Sequence, residues 1–186
     1  MTELRKFERH DRKAIKKLYI SAFPSDERAP FGLLMRKVRR GLADMQVAES
    51  DGEFAGFIYL VTLRDMMYFF YFAVESDKRG HGIGSSILRK FIASNSDKRI
   101  FLAREQLDSS ADNYDERVRR HDFYLHNGFH DVPYCIKEGP VTYDVMCTGE
   151  SVSPEEYDEL ISQWCGRFRM RFIEMRLFEN NGGSHE

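Results

Sequence analysis

A stretch with three glycines lies in the middle of the chain, between an apolar run and an apolar helical pattern. The run Met66–Val74 is aromatic and aliphatic, KRGHGIGSS follows at 78–86, and apolar residues recur with helical spacing over 83–92. Another short apolar strand, RIFLA, occupies 99–103. A strand, helix and strand of these lengths predict a parallel strand pair with a right-handed crossover. The unbroken run predicts a strand near the centre of a sheet, buried on both faces.

The remaining pattern predicts an α/β (α+β) chain rich in antiparallel strands. Helical spacing or helix-stop residues mark 11–23, 31–42 and 116–127, and strand patterns occupy 2–7, 44–49, 53–63, 129–137 and 141–147. Ser-Asp-Gly at 50–52 predicts a hairpin turn, and Glu138-Gly139-Pro140 joins the last two strands. Asp11 is a candidate cap for the first helix.

Glycines between a strand and a helix permit two interpretations. One is a tight connection, and the other is a cradle whose backbone N–H groups bind an anion at the helix N-terminus. The dinucleotide-binding pattern requires the first strand of its fold, and the P-loop requires Gly-Lys-Ser/Thr, so neither motif fits residues 78–86.

Composition restricts the classes of partner. The 186 residues include 28 Lys and Arg and 30 Asp and Glu, which gives a net charge of −2 and argues against a nucleic-acid or membrane partner. No apolar run approaches a membrane span, and residues 1–24 lack the apolar segment of a secretory signal. Three widely spaced cysteines without a C-x-x-C motif indicate reduced thiols and a cytoplasmic protein. The basic run at 36–40 is interpreted as a solvated helix face.

Two phrases in the chain resemble the GNAT superfamily of acyl-CoA N-acyltransferases. The first is Val74-Glu-Ser-Asp-Lys-Arg79-Gly80-His-Gly82-Ile-Gly84, which contains Arg-x-x-Gly-x-Gly. The second is Phe123-Tyr124-Leu-His-Asn-Gly128-Phe129. The resemblance covers residues 2–147. It implies a mixed, mostly antiparallel central sheet with a splayed parallel strand pair, flanked by helices.

The resemblance also implies coenzyme A binding, with acetyl-CoA as cosubstrate. The backbone of the turn would bind the pyrophosphate through Arg79, Gly80, His81, Gly82, Ile83, Gly84 and Ser85, where glycine permits close approach. The preceding strand would contact the pantetheine arm through Phe72, Ala73 and Val74, with the Val74 N–H near the thioester carbonyl. Many members carry Asn seven residues before the tyrosine, where this chain has Arg117. Asn113, upstream in a long loop, is the candidate for that contact.

The same resemblance implies the catalytic groups. Tyr124 would protonate the departing thiolate, and Glu105 is the candidate general base, with Asp26, Glu27 and Glu75 as other carboxylates to consider. His121, His126 and His130 are not spaced along one helix face, so no metal site is expected.

The segment 151–186 lies outside the resemblance. Ser153, Pro154 and Glu156 form a capping box, followed by an apolar helix face at 157–168. We therefore predict an acetyltransferase domain at 1–150 and a helical appendage at 151–186 that packs on the domain or on a second subunit of a homodimer.

The resemblance leads to one principal function and two alternatives. The principal one is direct acetyl transfer from acetyl-CoA to a primary amine of a small molecule or peptide. A non-catalytic acyl-CoA-binding or sensing module is the first alternative, which the intact Tyr124 disfavours. A translation inhibitor that acetylates aminoacyl-tRNA is the second, which the net charge disfavours. Acidic residues at 26, 27 and 105 hint at a cationic amine.

Overall fold

Strands and helices alternate along the chain, and the computed structural model describes residues 1–25, 27–138, 141–166 and 177–179. The strands are β1 (Thr2–Lys6), β2 (Asp44–Ser50), β3 (Glu53–Leu63), β4 (Met66–Val74), β5 (Arg99–Glu105), β6 (His130–Glu138), β7 (Val141–Cys147) and β8 (Leu177–Glu179). The helices are α1 (Arg12–Ala22), α2 (Phe31–Arg39), α3 (Ile83–Ser94), α4 (Tyr114–His126) and α5 (Pro154–Cys165). Each element predicted up to residue 147 is present, with ends shifted by up to three residues.

The predicted fold class is confirmed. The chain is an α+β fold with a mixed, mostly antiparallel sheet that contains the parallel β4–β5 pair. The splaying of that pair stays a prediction. The chain divides into two compact units, the first formed by residues 1–64 and 68–98 and the second by 65–67 and 99–186.

The first unit contains the strand order β1-β2-β3-β4, with β1–β2 and β2–β3 antiparallel. Asp51 and Gly52 join β2 to β3 with positive φ angles of 54° and 80°, and two successive positive φ values suit the twist of a tight hairpin. Residues 55–61 of β3 are all buried, so both faces of this strand are covered. The core of this unit therefore lies on both sides of β3.

Asp11 differs from its predicted role as a helix cap. It precedes α1, but its carboxylate makes no capping bond to that helix. Its two oxygens instead accept 2.7 Å hydrogen bonds from the Arg5 guanidinium, and one of them accepts the Glu8 N–H. This partly buried ion pair fixes β1 to the start of α1.

The second unit contains the strand order β5-β7-β6-β8, and its three pairings are antiparallel. The β8 strand pairs with Tyr134, Cys135 and Ile136 of β6, a pairing that the ambiguous pattern at 169–178 did not predict.

The capped tail helix α5 packs within the second unit. The Ser153 hydroxyl accepts the Glu156 N–H, and the Glu156 carboxylate accepts the Ser153 N–H, so the capping box is confirmed. Tyr157 is fully buried and its ring contacts Phe101 of β5 with centroids 5.8 Å apart. The domain boundary at residue 150 stays a prediction.

Arg99, the first residue of β5, joins three distant segments of this unit. Its guanidinium binds the Asp65 carboxylate at 2.7 and 3.0 Å and the Glu156 carboxylate at 2.9 and 2.8 Å. Its backbone N–H also donates to the Asp65 carbonyl at 2.9 Å. Paired bonds of this kind are geometrically specific, so Arg99 fixes the start of α5 against the start of β5.

Candidate active site

The glycine turn lies in the first unit, directly after β4. Gly80 and Gly82 have φ angles of 77° and 74°, in the left-handed region that disfavours other residues. Gly82 is the N-cap of α3, and its carbonyl accepts the first helical bond, from Ser86 at 2.9 Å. The chain therefore needs glycine here to pass from the strand into the helix.

The same turn has the shape and polarity of an anion cradle. A Cβ built on Gly80 or Gly82 would meet no atom within 4 Å, so the space beside the backbone is open. The first N–H groups of a helix lack acceptors within it, and the helix dipole adds partial positive charge there. The backbone N–H groups of Ile83 and Gly84 at the start of α3 are therefore suited to donate hydrogen bonds to a phosphate group.

Arg79 folds back on the strand that precedes it. Its Nε donates to the Val74 carbonyl at 2.9 Å, while the residue itself remains exposed. The sequence left its role open between a ligand contact and a solvent-facing charge. The observed bond fixes the end of β4 to the turn.

A further close contact fixes β4 from the opposite strand. A Cβ built on Gly56 of β3 would lie 2.3 Å from the Ala73 carbonyl oxygen and 3.2 Å from the Val74 Cα. Only glycine allows β3 to approach β4 at this point. The close approach at Gly56 consequently fixes the position of Ala73 and Val74, the residues expected to line the acyl group. Sequence reasoning missed Gly56, although an isolated glycine inside a strand pattern is the signal for such an approach.

Tyr71 anchors the connection between α1 and α2. Its hydroxyl donates to the Glu27 carbonyl at 3.0 Å and accepts from the Ala29 N–H at 3.1 Å. Its ring packs on Tyr19 and Phe23 of α1, with centroids 4.9 and 4.8 Å apart. Sequence reasoning did not identify this anchor.

Two of the other candidate carboxylates, Glu27 and Glu75, lie in the first unit. Glu27 lies half-buried in the connection that Tyr71 anchors, and Glu75 lies at the end of β4, where its N–H donates to the Ala55 carbonyl at 2.9 Å. Asp26 lies outside the described residues.

Tyr124 lies on α4 in the second unit. Its ring packs between Phe123 and Phe129, with centroids 5.2 and 5.5 Å away, as the phrase at 123–129 places them. Burial raises the pKa of Tyr124 to about 12, so the phenol is protonated at neutral pH. Within the described part of the chain, the Tyr124 hydroxyl has no hydrogen-bond partner. The Tyr124 hydroxyl can therefore donate its proton to a ligand, because no described residue accepts it.

Glu105 lies at the end of β5 and is held by three side chains of α4 and its cap. Its Oε1 binds the Arg117 guanidinium at 2.7 Å, and its Oε2 lies 3.4 Å from both the Arg120 guanidinium and the Asn113 amide. Arg117 Nε also donates to Asn113 Oδ1 at 2.8 Å, and Arg117 reaches the Gln106 carbonyl at 2.8 Å. The long loop at 106–113 is therefore fixed to α4, and Asn113 belongs to this cluster.

A partly buried charge cluster adjoins Glu105 in the chain. Arg104, 5% exposed, binds Asp131 at 2.9 Å and Asp144 at 3.2 Å, and His121 Nε2 lies 2.7 Å from the second Asp131 oxygen. Burial opposes ionisation of Asp131, but the bonds from His121 and Arg104 lower its pKa. Burial dominates at Asp144 and raises its pKa.

The cluster leaves one buried donor unsatisfied. Among the described residues, the Arg104 Nε has no hydrogen-bond acceptor. The sequence did not predict this cluster, although Arg104 falls in phase with the buried Ile100 and Leu102 of β5.

The histidines named from the sequence have separate partners. His121 binds Asp131, His126 Nδ1 lies 2.6 Å from the Asp122 carbonyl, and His130 Nε2 lies 3.3 Å from the Cys147 sulfur. The described residues contain no group of three or more His, Cys, Asp or Glu arranged to hold a metal ion. Nor does any helix in the described ranges have the length and apolarity needed to cross a membrane.

The predicted site residues thus fall into two groups. The turn at 79–85 and the strand end at 72–74 lie together in the first unit, whereas Glu105, Asn113 and Tyr124 lie in the second. Glu105 and Asn113 are in contact. Residues 42–131, which span both groups, match the sequence profile of the acetyltransferase (GNAT) domain. The chain carries a GNAT acetyltransferase domain.

Several solved structures share the fold over most of this chain. A GNAT-family protein from Bacteroides thetaiotaomicron is 20% identical, with a TM-score of 0.70 over 89% of this chain and 97% of that one. The ribosomal-protein-S18-alanine N-acetyltransferase from Escherichia coli is 17% identical, with a TM-score of 0.61 over 83% and 97%. An aminoglycoside 6′-N-acetyltransferase complexed with coenzyme A is 17% identical, with a TM-score of 0.58 over 82% and 99%. No curated protein sequence matches this one.

Membership in the GNAT family defines the class of enzyme. The matched domain at residues 42–131 is that of a family of acetyl-CoA-dependent N-acetyltransferases. The acceptor differs among the structural relatives, whose names specify a ribosomal protein in one case and an aminoglycoside in another.

Proposed function

We propose that this chain transfers an acetyl group from acetyl-CoA directly to a primary amine of a small molecule or peptide. The observation that carries the proposal is the turn after β4, where Gly80 and Gly82 adopt positive φ angles at the N-terminus of α3 with open space beside them. A diphosphate is the ligand chemistry that such a cradle suits.

The residues of the first unit would hold the donor. The turn amides at 79–85 would bind the pyrophosphate, and the edge of Phe72, Ala73 and Val74 would bind the pantetheine arm through main-chain groups. Bound acetyl-CoA supplies the activated acyl group as a thioester. The Val74 N–H is proposed to stabilise negative charge on the thioester oxygen as the amine attacks. Gly56 and Arg79 hold this strand end in place from either side.

Tyr124 is proposed as the general acid. Its phenol is protonated, lies against Phe123 and Phe129, and has no other acceptor among the described residues. Such a hydroxyl can give its proton to a departing thiolate sulfur.

Glu105 is proposed as the base that takes the amine proton, directly or through water. Its contacts set a condition for this role, since both carboxylate oxygens already accept bonds from Arg117, Arg120 and Asn113. Among the described residues, the Oε1 atom accepts only the Arg117 contact, which leaves it a lone pair for the amine proton. Asn113, held in the same cluster, remains the proposed coenzyme contact of the loop.

The proposal also covers the cellular compartment, the metal requirement and the oligomeric state of the enzyme. Cys135 and Cys147 are buried thiols that form no disulfide, which supports a cytoplasmic protein. We expect no metal requirement, because neither the acid nor the base proposed here needs one. The homodimer stays a prediction, as does the appendage at 151–186.

Calorimetry with coenzyme A tests the donor site. A Val side chain at Gly82 should fill the cradle and reduce affinity at least about tenfold, because it blocks backbone approach. Gly41→Val is the matched control, since Gly41 has a φ of 66° and similar open space but lies after α2. It carries the same backbone strain of roughly 1–2 kcal/mol.

The control separates strain from ligand contact. Equal affinity in the wild type and the Gly82→Val protein would disprove the cradle assignment, and equal losses in both variants would assign the effect to strain. Thiol release with a panel of amines, polyamines, aminoglycosides and peptides then tests turnover. A protein that binds coenzyme A and acetylates none of them would be a sensing module.

A further inference from the structure

One face of α1 and of the turn that precedes it carries a row of basic side chains. We call this face the α1 basic stripe, and it consists of Arg9, Arg12, Lys13, Lys16 and Lys17, all of them exposed. The opposite face of the helix buries Ile15, Leu18 and Tyr19. Across the described ranges, no acidic group forms a salt bridge with a stripe residue.

The α1 basic stripe lowers the stability of α1 as an isolated helix. Pairs such as Arg12 with Lys16 and Lys13 with Lys17 place like charges four residues apart, which destabilises a helix by a few tenths of a kcal/mol per pair. The α1 helix contains no acidic residue to offset them. Elsewhere in the chain, by contrast, Arg99, Arg104 and Arg117 all bind carboxylates. The stripe residues differ from these three arginines in having no carboxylate partner among the described residues.

The stripe belongs to a local excess of positive charge. Residues 9–40 hold ten Lys and Arg against three Asp and Glu, a net charge of +7, so the rest of the chain carries −9. At physiological ionic strength, charges act over about 8 Å. A ligand on α1 therefore responds to the stripe itself and not to the total of −2.

The helix that carries the stripe leads toward the strand that the proposed function assigns to the acyl group. Ile20, 50% exposed, follows it on the same helix, and Phe23 then packs on the Tyr71 ring. Tyr71 immediately precedes Phe72 in β4 and fixes the connection that leaves α1. A chain that lies along the stripe and continues past Ile20 would run toward the contact of Phe23 with Tyr71.

We propose that the α1 basic stripe binds an acidic segment of a peptide or protein acceptor whose amine is then acetylated. The inference rests on the proposed function for its chemistry, and it names the substrate class. The stripe spans roughly 12 Å of helix, a length that about four extended residues cover. A short run of Asp or Glu is sufficient to occupy it.

Two other polyanions fit the surface less well. Single-stranded RNA is usually held by exposed aromatic side chains as well as by charge, and the large exposed apolar side chains of the described residues are Met1, Ile20, Leu107 and Leu125. A long nucleic acid would also extend over a chain whose remainder carries −9. A membrane surface requires an apolar face beside the charges, and Ile20 alone does not provide one.

Fluorescence anisotropy with a labelled peptide tests the proposal without acetyl-CoA. The probe is Ala-Glu-Glu-Glu-Glu-Ala with a free N-terminus and a C-terminal fluorophore, and its counterpart carries Gln in place of Glu. We expect the acidic probe to bind at low salt and to weaken as salt rises. Lys16→Glu with Lys17→Glu should reduce its affinity at least about tenfold. The matched control, Arg39→Glu with Arg40→Glu, changes the net charge equally at exposed positions of α2 and should remain within about twofold of the wild type.

Several results would overturn the proposal. Equal binding of the Gln probe, or equal losses in the two double variants, would show that the stripe does not recognise acidic segments. Tighter, stripe-dependent binding of an oligouridylate or of phosphatidylserine vesicles would replace the peptide by that partner. Coenzyme A calorimetry on the same samples reports separately on the proposed function. Acetyl transfer to the acidic peptide, reduced only in the Lys16 and Lys17 variant, would join the two.

Discussion

At the scale of single residues, Tyr124 has two properties that seldom occur together. Its ring is packed between aromatic neighbours, and its hydroxyl has no hydrogen-bond partner in the described part of the chain. The hydroxyl is not among the buried side-chain atoms that lack a partner, so a ligand can reach it. An accessible proton is what the proposed role of Tyr124 as general acid requires.

Replacement of Tyr124 by Phe should lower kcat about 10²-fold, the lower end of the range for general acids, because thiolate is already a good leaving group. The affinity for acetyl-CoA should remain unchanged, since the lost interaction forms mainly in the transition state. Steady-state kinetics with calorimetry measures both. Because the pKa of Tyr124 is about 12, its ionisation should cause no loss of wild-type activity below about pH 11. Tyr114→Phe, on the same helix, is the control, and an unchanged kcat at Tyr124→Phe would make Tyr124 a packing residue.

The residues also show what sequence can and cannot predict here. The glycine turn and the phrase at 123–129 are local, so their spacing was sufficient to place Gly82 at the helix cap and Tyr124 on its helix. Arg104 and Asp144 face each other only because β5 and β7 pair in one register. The bond from Arg79 to Val74 depends on a side-chain rotamer, which no spacing encodes. The sequence pattern therefore could not predict contacts that depend on strand pairing or on side-chain rotamers.

At the scale of elements, α5 is an integral part of the second unit. Tyr157, Leu160, Ile161 and Trp164 are at most 5% exposed, and the burial of each contributes roughly 1.5–3 kcal/mol. Their total is comparable with the whole stability of an ordinary domain. The helix thus behaves as part of the core, although it lies outside the matched residues 42–131.

Leu160→Ala should lower the free energy of unfolding by about 2–5 kcal/mol, since Leu160 is fully buried and the cavity relaxes only partly. Trp164 is the only tryptophan of the chain, so its fluorescence during urea denaturation reports on this helix directly. Gln163→Ala, at an exposed neighbour, should change the midpoint little. A similar small change at Leu160 would mean that α5 detaches without cost.

At the scale of the whole molecule, carboxylates bound to arginine control stability in acid. The Arg5 guanidinium lowers the pKa of Asp11, and the Arg99 guanidinium lowers that of Glu156. A depressed pKa in the folded state stabilises the fold fully above the ordinary pKa of the carboxyl group. That stabilisation is lost as the pH falls through the lowered value.

Asp11→Asn should therefore lower the free energy of unfolding at pH 7 by about 1–3 kcal/mol, the range for charged hydrogen bonds. The difference from wild type should shrink below about pH 4, because Asp11 then takes up a proton when the protein unfolds. Urea titrations between about pH 2 and pH 7 measure this difference. Asp122→Asn, at an exposed position of α4, should show none. A difference that stays constant with pH would refute the electrostatic account.

The junction at Arg99 has a consequence for how the chain emerges during translation. Asp65 is made before Arg99, but Glu156 follows it by 57 residues. At synthesis rates of 5–20 residues per second, Glu156 leaves the ribosome roughly 3–11 s after Arg99. During that interval the guanidinium has only half of its final partners, and the face of β5 that receives Tyr157 is uncovered. The nascent chain therefore passes through a period in which it is a client for chaperones, and that period ends when α5 docks.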